Sequence, residues 1–147
     1  MPEFDPKSKE KADRNKILLE IMEQSVNFFR LTLNSSQGKH ALEYLKKRGL
    51  YADAIERFEI GFAPADQTTL TQKLKDKGYD LDAIIETGMS VKSDESNRLY
   101  DRFRARIMFP IRDSRGRCIA FGGRSLDPAA RAKSVSYTHL RAHETSS

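Results

Sequence analysis

No run of eighteen apolar residues occurs in this 147-residue chain, so no segment is suited to cross a membrane as a helix, and no membrane partner is expected. Cysteine is nearly missing. Cys118 stands alone, which excludes a disulfide within the chain and a zinc site built from several cysteines. A reducing, cytoplasmic setting fits. The opening residues, "MPEFDPKSKEKADRNK", lack the apolar core of a secretory signal. No internal repeat is visible. Carboxylates are scarce in the last third and show no cluster of the kind that holds two metal ions for phosphoryl chemistry. No catalytic residue is therefore assigned.

What the chain does have is positive charge in one place. Residues 1–97 hold 15 Lys and Arg against 17 Asp and Glu. Residues 98–147 hold 11 against 4, so the whole net charge of +5 comes from the last third. A localised basic patch is an electrostatic footprint for a polyanion, most often nucleic acid, although a merely solvated surface has the same composition.

The pattern of elements is α+β: N-terminal helices, then a small, mostly antiparallel sheet ending in a C-terminal hairpin. Asp5-Pro6 is a helix-start signal. Leu18, Met22, Val26, Phe29 and Leu33 then recur every three or four residues, as on one stripe of a long helix. "NSSQG" interrupts it. A helix follows over "KHALEYLKKRG", with Ala41, Leu42 and Leu45 inward and Gly49 as its cap. A short helix from Ala54 to Phe58 leads into a brief strand, "FEIGFAP", stopped by Pro64. Asp66 and Asp80 are expected to cap two further helices, ended by Gly78 and Gly88. "MSVK" and "RLY" flank a polar turn. The final hairpin joins "ARIMFPIRD" to "RCIAFGGRSL" through Asp113-Ser114-Arg115-Gly116, suited to a type I turn with a following bulge. Pro110 inside its first strand implies an edge position or a bulge.

Eight arginines and no lysine lie between Arg98 and Arg124, opposed only by Asp101 and Asp113. Arg102, Arg104 and Arg106 are two apart. In extended conformation they would share one face, about 6–7 Å from one to the next, with Phe103, Ile107 and Phe109 as anchors. Arginine's planar fork matches phosphate bidentately and stacks on bases. The alternative is a solvated face whose arginines pair with Glu56, Glu59 or Asp101. Gly122 and Gly123 either admit a close backbone approach, leaving Arg124 to reach over a bare floor, or only allow a bend. Cys118 is expected to be a passive packing thiol.

"YLKKRGL", "ERFEIGFAP" and "YDRFRARIMFPIRDSRGRCIAFGGRSL", in this order and spacing, resemble bacterial DNA primase of the DnaG type over roughly Asp5 to Lys133. The resemblance implies a fragment of an enzyme that makes short RNA primers on single-stranded DNA during replication. Residues 1–37 would be the linker and long helix after a zinc domain, and 38–133 the N-terminal subdomain of the RNA polymerase domain. That subdomain binds single-stranded template and guides it. Its basic site residues fall on Arg48, Arg102, Arg104, Arg106 and Arg124, and more weakly on Lys133. The family's zinc ligands would precede Met1, and the Toprim carboxylates that hold magnesium would follow Lys133. Zinc, magnesium and the replicative-helicase contact thus belong to regions outside this chain, which alone should be inactive and hold no metal. The family commonly has Ser or Thr where Tyr51 stands, so the next helix loses its side-chain cap. Residues 134–147, "SVSYTHLRAHETSS" after Lys133, resemble a translated sequencing adapter and are set aside. His139 and His143, four apart, lack further ligands for a metal. The other reading of the arginine pattern is a stand-alone, non-enzymatic single-stranded nucleic-acid-binding module.

Overall fold

The computed structural model describes residues 6–95 and 98–126. Helix α1 (Pro6–Leu33) begins at the expected proline. A 3-10 turn, Ser36–Gly38, then leads into α2 (Lys39–Lys47) and α3 (Ala52–Arg57). Strand β1 (Gly61–Ala63) follows, then α4 (Thr69–Asp76) and α5 (Leu81–Thr87). Strands β2 (Ser90–Lys92) and β3 (Leu99–Asp101) pair as an antiparallel hairpin. Strands β4 (Arg106–Arg112) and β5 (Cys118–Ser125) form a second hairpin, which β1 joins to make a sheet of order β1-β4-β5. The expected α+β architecture is found.

The three-stranded sheet has a core on each face, because neighbouring strand residues point to opposite sides. Ala63 and Met108 pack into one cluster with Ile21, Phe29, Leu74 and Ile84. Phe62 and Ile107 pack into the other, with Leu33, Ala41 and Leu45. Of the expected α1 stripe, Met22, Val26, Phe29 and Leu33 are buried, each apolar side chain contributing about 1.5–3 kcal/mol. Gly61 is where β1 meets α1. A Cβ there would lie 2.4 Å from the Phe29 carbonyl carbon, so any larger residue forces strand and helix apart.

The capping expectations are corrected in two places. Asp66 does not cap α4; it accepts hydrogen bonds from Gln37 Nε2 and Thr69 Oγ1. The α4 N-terminus is satisfied by Asp101, thirty residues on. Its carboxylate accepts from Leu70 N at 2.9 Å, Thr71 N at 2.8 Å and Thr71 Oγ1 at 2.6 Å. Asp101 is 2% exposed. Two free backbone donors and the helix dipole make that position suited to an anion. Asp80 does stand at the α5 N-cap, but without a side-chain cap bond; it lies 3.8 Å from Arg14 instead. Tyr51, as expected, gives α3 no side-chain cap.

The β4–β5 turn is as expected. Gly116 N donates to Asp113 O, Gly116 has φ +82°, and Asp113 Oδ1 accepts from the amides of Arg115 and Arg117. Ile111 faces Ala120 and Arg112 faces Cys118, which leaves Ile119 as the extra, bulged residue. Pro110 lies one residue before that bulge and beyond the end of β1, so its missing N–H removes no bond to that neighbour.

Candidate nucleic-acid interface

The "RFRAR" run is not one strand. Strand β3 ends at Asp101 and β4 starts at Arg106; Ala105 between them has φ +52°. A left-handed alanine costs about 1 kcal/mol and turns the chain sharply. The expectation that Arg102, Arg104 and Arg106 share an extended face therefore fails. Three backbone bonds hold the loop: Asp101 N to Gln67 O, Arg102 N to Met89 O and Ala105 N to Pro64 O. With the Asp101 cap, they fix the arginine loop against α4 and the start of β2.

Each arginine is then placed separately. Arg102 is exposed, with its guanidinium 5.7 Å from the Phe103 ring centre. Arg104 is half-buried, 5.5 Å over the Tyr100 ring, and lines a cavity of about 390 Å³ with Gln67, Thr68 and Arg98. Arg106 is half-buried and donates Nε–H to the Arg104 carbonyl at 3.2 Å. Burial, and to a smaller degree repulsion from Arg104, holds its guanidinium pKa below the ordinary value. Arg48 caps α2, exposed, 4.9 Å over the Tyr44 ring. It lines a groove of about 460 Å³ whose other rim carries the exposed Arg124. Lys133 and both histidines of the tail lie outside the described residues.

Among the described residues, none of Arg48, Arg102, Arg104, Arg106 and Arg124 has a carboxylate within ion-pair distance. The acids proposed as partners are engaged elsewhere or apart. Asp101 caps α4, and Glu59 binds Arg112. Three guanidinium groups lie near aromatic rings, a cation–π arrangement that restrains the side chain while leaving donors outward. Tyr44, Tyr100 and Arg98 were not singled out by the sequence. For the two tyrosines the signal was present as an aromatic residue four positions before an arginine, Tyr44 before Arg48 and Tyr100 before Arg104.

Of the two readings of Gly122 and Gly123, a close approach or a bend, the approach at Gly122 is made by a side chain, so the floor is not bare. Gly122 faces Phe109 across the strands, and a Cβ on Gly122 would lie 2.3 Å from the Phe109 Cζ. The glycine makes room for that ring.

A family model for the N-terminal domain of the DNA primase catalytic core matches residues 28–140. The chain belongs to this primase family. It is 44% identical to the DNA primase of Haemophilus influenzae over 123 residues, which is 82% of this chain and 20% of that protein. Its fold is similar to a DnaG primase catalytic domain solved bound to single-stranded DNA, with TM-score 0.74 and 40% identity over 79% of this chain and 37% of that one. It is also similar to the RNA polymerase domain of Mycobacterium tuberculosis primase in complex with a double-stranded DNA oligomer carrying a 6-nucleotide overhang. There the TM-score is 0.72 and the identity 32%, covering 77% of this chain and 35% of that one. The chain spans about a fifth of the length of the curated primases it matches.

Among the described residues no group of three or more His, Cys, Asp or Glu could hold an ion. No helix among them is long and apolar enough to cross a membrane.

Proposed function

We propose that this chain is the part of a DNA primase that grips single-stranded template and leads it toward a catalytic centre in the rest of the protein. The observation that carries this reading is the set of five arginines without carboxylate partners: Arg48, Arg102, Arg104, Arg106 and Arg124. A guanidinium with no internal anion keeps its donors for phosphate, and each contact releases counterion. The single-stranded DNA held by a relative of 40% identity supports the same ligand. Family membership favours this over a stand-alone binding module.

By this reading primer synthesis, zinc, magnesium and the helicase contact belong to the remainder of the protein, and Lys133 is a further template-binding residue by resemblance alone. The purified chain, given template, ribonucleotides and magnesium, makes no primer. A labelled dinucleotide above the blank overturns the assignment of chemistry to other regions. Template binding is tested by anisotropy of a labelled oligonucleotide over a salt series. The expected dependence of affinity on salt has a slope of roughly 0.7 per phosphate contact, so several contacts give a slope well above one. A flat salt dependence overturns the reading.

A further inference from the structure

Alternate residues of a strand share a face. Ile107 and Phe109 on β4 therefore lie on the same side of the sheet, opposite Arg124 and Gly122 on β5. Phe109 sits in the middle of the sheet's central strand, yet it is 41% exposed. Its cross-strand partner is Gly122, and a Cβ on Gly122 would fall 2.3 Å and 2.4 Å from two carbons of the ring. The ring thus lies over the glycine backbone and does not stand out into solvent. One part is fixed against the sheet and the rest is open.

That open ring borders the groove whose rims carry Arg48 and Arg124. No lining residue of the groove is a carboxylate, and Tyr44, Phe58 and Ile107 add apolar wall. An aromatic floor with two cations at its edges complements a group that is flat and apolar at its centre and anionic at its flanks. A nucleotide in an unpaired strand has that form. Every base offers a π-face, and the phosphates on either side offer the charge.

We propose that Phe109 is a stacking platform for an unpaired nucleobase of single-stranded DNA, with Arg48 and Arg124 on the flanking phosphates. This rests on the template-binding reading above and adds to it a contact that does not depend on charge. Gly122 is a positioning residue, since it sets the tilt of the ring. A ring that merely covers a cross-strand glycine also stabilises a sheet. Such a role changes stability and leaves DNA affinity alone.

The experiment uses the whole chain, a fluorescein-labelled twelve-residue oligothymidine, and a salt series. Phe109→Leu, which keeps an apolar side chain, weakens binding roughly fivefold to a hundredfold with the salt slope unchanged. Gly122→Ala lifts the ring and weakens binding in the same direction. The chain contains no tryptophan, so Phe109→Trp introduces a single reporter. Its emission is quenched as oligothymidine is added, saturating where anisotropy saturates. Circular dichroism follows the fold, and if Phe109→Leu does not fold, the other two variants decide. Binding of a folded Phe109→Leu or Gly122→Ala chain within twofold of the unmodified chain overturns the inference. So does tryptophan emission that stays constant through a saturating titration. Either of those results, with a normal salt slope, leaves template binding standing. If the unmodified chain does not bind at any salt, template binding and this inference fall together.

Discussion

Strand β4 begins and ends on an arginine, and the two are used in opposite ways. Arg112 donates Nε–H to Glu59 at 2.6 Å and Nη1–H to Glu23 at 2.6 Å, with a further bond to the Gly116 carbonyl at 2.7 Å. It ties α1 and the segment after α3 to the hairpin turn. The hydrogen bond to Glu59, then that to Glu23, raises its guanidinium pKa further above the ordinary value. The same hydrogen bond lowers the Glu59 carboxyl. Arg106, six residues away, meets a backbone carbonyl and no carboxylate among the described residues. One end of the strand is a structural clamp, and the other keeps its charge for a ligand. Arginine content alone does not separate the two. The difference lies in which acids the fold brings to each.

The sharpest way to break the contrast is to remove the anchor of the ligand end. Asp101→Ala leaves Leu70 N and Thr71 N without their acceptor in a buried place, and should cost roughly 2–4 kcal/mol. Thermal unfolding measures that loss. DNA affinity should fall with it, because the 102–105 loop loses its support against α4. A stable Asp101→Ala chain with full affinity would show that the cap does not position the arginines.

Arg112→Ala comes next. Its side chain is 25% exposed and those of Glu59 and Glu23 are 26% and 44%, so solvent screens the clamp. A loss of about 1–2 kcal/mol is expected, with the salt slope of DNA binding unchanged. Because the Glu59 pKa lies below its ordinary value of 4.5 in the folded chain, the clamp is whole above about that pH. It weakens as pH falls through the lower folded value. The unmodified chain should therefore lose stability faster than Arg112→Ala in acid below pH 4.5, by urea midpoints. Equal acid sensitivity would mean that the clamp contributes nothing.

At the ligand end, Arg104→Ala should leave stability nearly unchanged and weaken DNA binding roughly fivefold, with the salt slope lower by about 0.7. An unaltered slope would make Arg104 a solvated charge. The smallest effect is expected at Cys118, which faces Arg112 at the clamp end. It is 1% exposed, and burial pushes its thiol up to about 11. Cys118→Ala should leave DNA affinity within error, and the native thiol should resist a thiol reagent at pH 8 until the chain unfolds. Rapid labelling of the folded chain would contradict a passive packing role.

The long α1 stripe, the Asp113–Gly116 turn, the hairpin strands and the strand after α3 were legible because their signals are local. They rest on periodicity, a proline, a glycine and an Asp at fixed offsets. The glycines that end the helices were legible too, but the side-chain caps at the helix starts were not. Asp66 and Asp80 occupy positions suited to capping, yet the acid that caps α4 is Asp101, and nothing near residue 70 announces it. The site was legible as a list and not as a geometry. The period of two through "RFRAR" predicts one strand, and Ala105 at φ +52° breaks it.

By itself, then, the sequence determined the order of elements, the confinement of excess positive charge to the last third, and the likeness to primases. Composition and short-range pattern suffice for these. Only the tertiary structure decided which arginines are neutralised. The partners of Arg112 lie 53 and 89 residues away in sequence, and the anchor of the arginine loop caps a helix 30 residues before it. Pairing of charges over such separations depends on how the helices pack on the sheet. No local pattern encodes that packing.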